Sequence, residues 1–190
     1  MTQGEVTFRL VERTGHPDFL DLPWDEPLAE WQSDRFVDVA RGLGRHVVRF
    51  VDYDGSLYAL KELPPRLAQR EYRLLRALGE LGLPAVEAVG VASERARSDE
   101  SVLITRYLEY SLPYRLVLTR TVLPAPLPLL LDAFAELLVR LHLTGLFWGD
   151  CSLSNTLFRR DAGALQAYLV DGETSDVHEA LSNGQRQADL

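Results

Sequence analysis

Lysine is almost missing from this chain of 190 residues: one, Lys61, stands beside nineteen arginines. Cysteine is equally scarce. The single thiol, Cys151, excludes an internal disulfide, and no Cys/His cluster has the spacing of a zinc site. Long apolar runs are absent too: the longest, Leu127 to Leu131, falls far short of the roughly 20 residues that cross a bilayer. No transmembrane segment is expected. The polar start Met1-Thr2-Gln3-Gly4-Glu5 is no signal peptide, so the expected location is cytoplasmic. Positive charge is also short: a formal net charge of −8 argues against a nucleic-acid partner, since counterion-release binding needs a basic face. A local basic site for a small anion such as a nucleotide is still compatible with it. What is present, 46% hydrophobic residues with 9% aromatics, suffices for a packed core in one domain or two small lobes.

Residues 1–35 follow no single period and predict an irregular N-terminal extension with one strand and one short helix. Extended patterns then recur at Phe36 to Ala40, His46 to Val51 and Leu57 to Lys61, the last two flanking an Asp54-Gly55 step that signals a hairpin turn. Pro64-Pro65 stop the third strand. Arg66 to Leu81 carries Leu67, Leu74, Leu75, Leu78 and Leu81 at helical spacing, ended by Gly82 and Pro84. Val86 to Val91 and Val102 to Tyr107 complete a sheet of about five strands. Past the proline-rich break at 123–128, Leu129 to Leu143 predicts a helix buried except for one stripe of Asp132, Glu136 and Arg140. A short hairpin, Thr156 to Arg159 with Ala167 to Val170, turns around Asp161-Ala162-Gly163. No closing helix is expected at the end of the chain. The predicted class is α+β, with an extension over 1–35, a first lobe over 36–110 and a second, abbreviated helical lobe over 111–190.

A lone lysine in an arginine-rich chain suits a narrow cleft beside phosphate oxygens, where a compact ammonium on a thin stem fits better than a planar fork. Glu71 lies on the apolar stripe of its helix, at spacings of three, four and seven from Leu74, Leu75 and Leu78. A desolvated carboxylate there needs a cation, and Lys61 on the adjacent strand is the expected partner; an arginine at the edge of the stripe is the alternative.

In chain order these features are Lys61, Glu71, a buried helix, Asp150-Cys151-Ser152-Leu153-Ser154-Asn155, a hairpin, and Val170-Asp171-Gly172-Glu173. The series resembles the protein-kinase-like superfamily from about residue 36 to 175, nearest to lipopolysaccharide kinases (Kdo/WaaP-like) and aminoglycoside phosphotransferase-like kinases. The resemblance implies a bilobal fold and transfer of the γ-phosphoryl group of ATP, with Mg2+, to a hydroxyl of a small-molecule or glycan acceptor. Lys61 is implied on the nucleotide phosphates, Asp150 as the base that orients the hydroxyl, and Asn155, Asp171 and Glu173 at the metal. Gly42 and Gly44 fall where a phosphate-covering loop would lie, though a plain tight turn fits them equally. Glu109, in Tyr107-Leu108-Glu109-Tyr110, falls where such kinases place the hinge that meets adenine through its backbone.

Three features depart from the pattern, the first being a Lys61 to Glu71 separation shorter than is usual in eukaryotic protein kinases. Trp148 replaces the usual loop-bracing residue two before the catalytic Asp, and only nineteen residues follow Asp171, as expected of a cut chain. They leave open an alternative: a pseudokinase-like module that binds nucleotide without catalysis. A third reading, an unrelated interaction protein, requires the ordered series to be coincidence. The acceptor and the oligomeric state are not written in the sequence.

Overall fold

The computed structural model of the chain describes residues 8–39, 45–113, 127–161 and 163–190. Two compact units divide it: one from Met1–Arg76 with Glu87–Tyr107, the other from Ala77–Val86 with Leu108–Leu190.

The first unit is built on β1 (Arg9–Glu12), β2 (Val48–Tyr53), β3 (Ser56–Leu63), β4 (Glu87–Ser93) and β5 (Ser101–Arg106), in the antiparallel order β1-β4-β5-β3-β2. Helix α1 (Pro65–Glu80) follows β3 directly. β2 and β3 are joined as the Asp-Gly step demands: Asp54 and Gly55 have φ of 53° and 84°, both in the left-handed region of a primed hairpin turn. The fifth strand differs from expectation. Of the run 36–40, Phe36 makes only an isolated bridge to Val51, and the strand that completes the sheet is β1, from the N-terminal segment.

That segment is part of the first unit's core. Strand side chains alternate, so Tyr58, Leu60 and Glu62 share one face of β3 and Ala59, Lys61 and Leu63 the other. The Tyr58 face is sealed by Phe19, Leu22, Trp24, Leu28 and Trp31, which join Val51, Tyr53, Val89, Val102 and Ile104 in one buried cluster. Phe19 meets Tyr53 and Tyr58 edge-on, with ring centroids 5.0 and 5.1 Å apart, and Trp24 meets Trp31 in the same way at 5.0 Å. No regular period runs through residues 16–31 because they cover a sheet as a meandering strap, stitched by indole donors: Trp24 Nε1 to Phe19 O and Trp31 Nε1 to Glu26 O, both 2.7 Å.

The second unit holds β6 (Leu112–Pro113), α2 (Leu127–Leu143), β7 (Leu146–Phe147), β8 (Thr156–Asp161), β9 (Ala164–Leu169), β10 (Asp176–Val177) and α3 (Asn183–Ala188). Its strands form a three-stranded sheet in the order β6-β8-β9 and a two-stranded pair of β7 with β10. α2 packs on β9 and β7, burying Leu130, Ala133, Leu137, Leu138 and Leu141. Its exposed side is wider than one polar stripe, since Leu131, Val139 and Leu143 also face solvent. The closing helix not foreseen in the sequence is α3. Ser182 caps it, accepting from Gln185 N while Gln185 Oε1 accepts from Ser182 N, a reciprocal box legible in the Ser-Asn-Gly-Gln spacing.

Candidate active site

In the first unit, Lys61 Nζ donates to Glu71 Oε2 at 3.0 Å. Register explains the meeting: Lys61 sits opposite Val48 of β2 and Leu103 of β5, on the face away from the aromatic strap. Glu71 is 1% exposed and Lys61 is mostly buried, so the pair is shielded and either partner alone would carry a heavy desolvation cost. Gly42 and Gly44 lie outside the described residues. Glu109 is exposed, in the turn before β6, and Tyr110 beside it takes a φ of 58°.

In the second unit, the stretch from Trp148 to Ser175 is tied into a frame. Asn155 Nδ2 donates to the Asp150 carbonyl at 3.0 Å, closing the loop between them and turning the Asn155 amide oxygen the other way. Val170 N donates to Asn155 O at 3.1 Å, which brings the end of the β8–β9 hairpin, and Asp171 after it, alongside that loop. Asp171 Oδ1 accepts from Glu173 N at 3.0 Å, and Ser175 N bonds Gly172 O, so residues 171–175 form a tight turn.

Trp148 holds the two loops together. Its ring, fully buried, donates from Nε1 to the Asp171 carbonyl at 2.8 Å, and its own carbonyl accepts from Thr174 Oγ1 at 3.0 Å and Ser175 Oγ at 3.2 Å. The departure noted in the sequence thus places an indole donor on the backbone of Asp171. Gly149 follows at φ +79°, where an added Cβ would lie 2.9 Å from Thr174 O; only glycine fits so close an approach.

Beneath the loop lies a residue that sequence reasoning missed. Asp189, its side chain fully buried, accepts from Trp148 N at 2.9 Å, Gly149 N at 2.8 Å and His142 Nε2 at 2.9 Å. α3 exists in this place to present it. Nothing marks Asp189 in the sequence beyond the cap that starts its helix. Cys151, beside Asp150, has its thiol pushed up to about 12 by burial and then by the Asp189 and Asp150 carboxylates. It is a half-buried thiol with no nucleophile's activation.

The donor set suits a hard cation. Asp171, the Asn155 amide oxygen and Glu173 offer oxygens only, as magnesium prefers. Among the described residues no group of three or more His, Cys, Asp or Glu assembles to hold a metal unaided.

No curated protein matches the chain. Among solved structures, WaaP in complex with acyl carrier protein is similar, with a TM-score of 0.57 at 23% identity over 79% of this chain and 66% of that one. The chain therefore spans just under two thirds of the length of that solved relative, and the likeness shows a shared α+β, protein-kinase-like fold. The model of the lipopolysaccharide kinase (Kdo/WaaP) family matches residues 52–190, a stretch that takes in Lys61, Glu71, the Asp150 loop, Asp171 and Asp189. The chain belongs to the lipopolysaccharide kinase (Kdo/WaaP) family.

Proposed function

We propose that this chain is a phosphotransferase that moves the γ-phosphoryl group of ATP, with magnesium, to a hydroxyl of a glycan acceptor of the lipopolysaccharide type. The observation that carries the reading is the frame joining Asp150, Asn155 and Asp171, within a stretch matched by a kinase family. Lys61, held by Glu71, would set its ammonium against the nucleotide phosphates. The Asp150 carboxylate would accept a hydrogen bond from the acceptor hydroxyl and take its proton as the phosphorus–oxygen bond forms. Asp171, Asn155 and Glu173 would hold magnesium, which when bound neutralises charge on the phosphate oxygens. The location proposed is the cytoplasm, where ATP is supplied; no helix among the described residues is long and apolar enough to cross a membrane.

The test is transfer of label from γ-labelled ATP to a deacylated lipopolysaccharide core oligosaccharide, with and without magnesium. Wild-type protein should label the oligosaccharide only with magnesium, and Asp150→Ala should abolish transfer while nucleotide still shifts the melting temperature. Unchanged turnover in Asp150→Ala would remove the assigned base. Nucleotide binding with no transfer by the wild type would favour the non-catalytic nucleotide-binding module instead.

A further inference from the structure

Residues 8–51 precede the stretch that the family model matches, yet residues 16–31 seal the sheet face behind Lys61. Where they reach β3, one buried cation ties the two together. Arg95, with a side chain 0% exposed, donates from Nη1 to Glu62 Oε1 at 2.6 Å and from Nε to Trp24 O at 2.7 Å. Its Nη2 donates to Glu26 O, and the guanidinium lies 5.7 Å from the Trp31 ring centroid. Glu62 Oε1 also accepts from Leu28 N at 3.0 Å, with Ser98 Oγ at 3.5 Å.

Glu62 is the residue after Lys61, on the opposite face of the same strand. The backbone at this end of β3 is laddered to β5 as far as Leu63 opposite Ser101, and Glu62 N donates to Val47 O at 3.0 Å; on the strap face the Glu62 side chain adds the tie to Arg95. A shift of Glu62 on the strap face would be passed through the backbone to its neighbour Lys61. We infer that Arg95, acting through Glu62, is a positioning residue for Lys61, and that the strap of residues 16–31 is the anchor against which it pulls. The functional weight of this inference rests on the reading of Lys61 as the phosphate lysine; the mechanical part does not.

Lys61 is the only lysine in the chain, so an amine-acylating ester reports on it alone once the α-amine of Met1 is separated by peptide mass. The labelling rate of Lys61 is measured in the full chain for the wild type, Arg95→Lys, Arg95→Met and Glu62→Gln. Leu137→Ala, a core truncation in the second unit, is the control for general destabilisation. All are compared at a temperature where circular dichroism shows each fully folded. Arg95→Lys keeps the charge and loses the fork that spans Glu62 and the two carbonyls, so it carries the test if Arg95→Met does not fold. Labelling should rise about fivefold in the Arg95 and Glu62 variants, with a similar rise in KM for ATP, and stay at the wild-type rate in Leu137→Ala. Wild-type labelling in folded Arg95→Lys and Glu62→Gln would overturn the inference, as would an equal rise in Leu137→Ala. Labelling needs no phosphate transfer. A chain without transferase activity, but with faster Lys61 in the variants, would sink the proposed function and leave the anchor standing.

Discussion

Replacing Asp189 by alanine removes the acceptor shared by Trp148 N, Gly149 N and His142. The Trp148 amide is buried and has no water to turn to, so its loss costs about 1–3 kcal/mol. Gly149 and the edge of His142 are reached by solvent, and each loss there costs about 1 kcal/mol. Together the change is worth about 3–5 kcal/mol, a large part of the 5–15 kcal/mol that holds a typical domain. Asp189→Asn keeps one carboxyl-like oxygen and should lose about half as much. Urea unfolding followed by tryptophan fluorescence measures both, with Trp148 itself as a reporter beside the lesion. Phosphate transfer should fall further than stability predicts at a temperature where the variant is folded, because the loop bearing Asp150 loses its floor. A change under about 0.5 kcal/mol in Asp189→Ala, within the range of ordinary surface substitutions, would refute the three-way clasp.

Three further outcomes follow from the same loops. Trp148→Phe keeps an aromatic ring, drops the donor to Asp171 O and leaves part of the indole's volume unfilled, so stability should fall by about 1–3 kcal/mol and magnesium binding, measured by titration calorimetry with nucleotide present, should weaken; unchanged affinity would detach Trp148 from the metal loop. Gly149→Ala forces a side chain into positive φ against Thr174 O and should cost about 1–3 kcal/mol in urea unfolding, whereas an unmoved midpoint would contradict the close approach. The Cys151 thiol, held near 12 against an ordinary 9, keeps its proton in the folded state at a pH where the unfolded chain has lost it; its contribution to stability is full below about pH 9 and disappears as the pH climbs towards 12. Alkylation at pH 8 should therefore be slow in native protein and fast in urea, and equal rates would show an exposed thiolate.

What could be read without coordinates was whatever short-range physics determines. The Asp-Gly hairpin, the α1 stripe with Glu71 on it and the β8–β9 hairpin each depend on neighbours within a few positions, and each is present. Lys61 meeting Glu71 was legible because a buried carboxylate has few remedies. Features resting on long separations were not. β1 completes the sheet by pairing with β4 some eighty residues on, and Arg9 to Glu12 carry no strong strand pattern because they form an exposed edge. The strap of residues 16–31 has no period because aromatic side chains, in place of a regular backbone, define its path. Asp189 reaches partners 40 and 41 residues away, and its own neighbourhood says nothing of them. Trp148 was legible as a departure but not as a brace, since the acceptor it needs is a main-chain carbonyl that any residue supplies.

The aromatic strap also separates two quantities that are easily taken as one: the length over which a lineage is recognisable and the length that folds. A fragment trimmed to the family stretch, 52–190, would lose β1, four of the six residues of β2 and the cover over Leu60, Val89, Val102 and Ile104. Its sheet would offer bare strand edges and a wet apolar face, the conditions for aggregation. In this chain the matched stretch carries the residues proposed for chemistry, while residues 16–31, outside it, keep one face of the sheet from water. Any minimal version made for expression should begin ahead of β1.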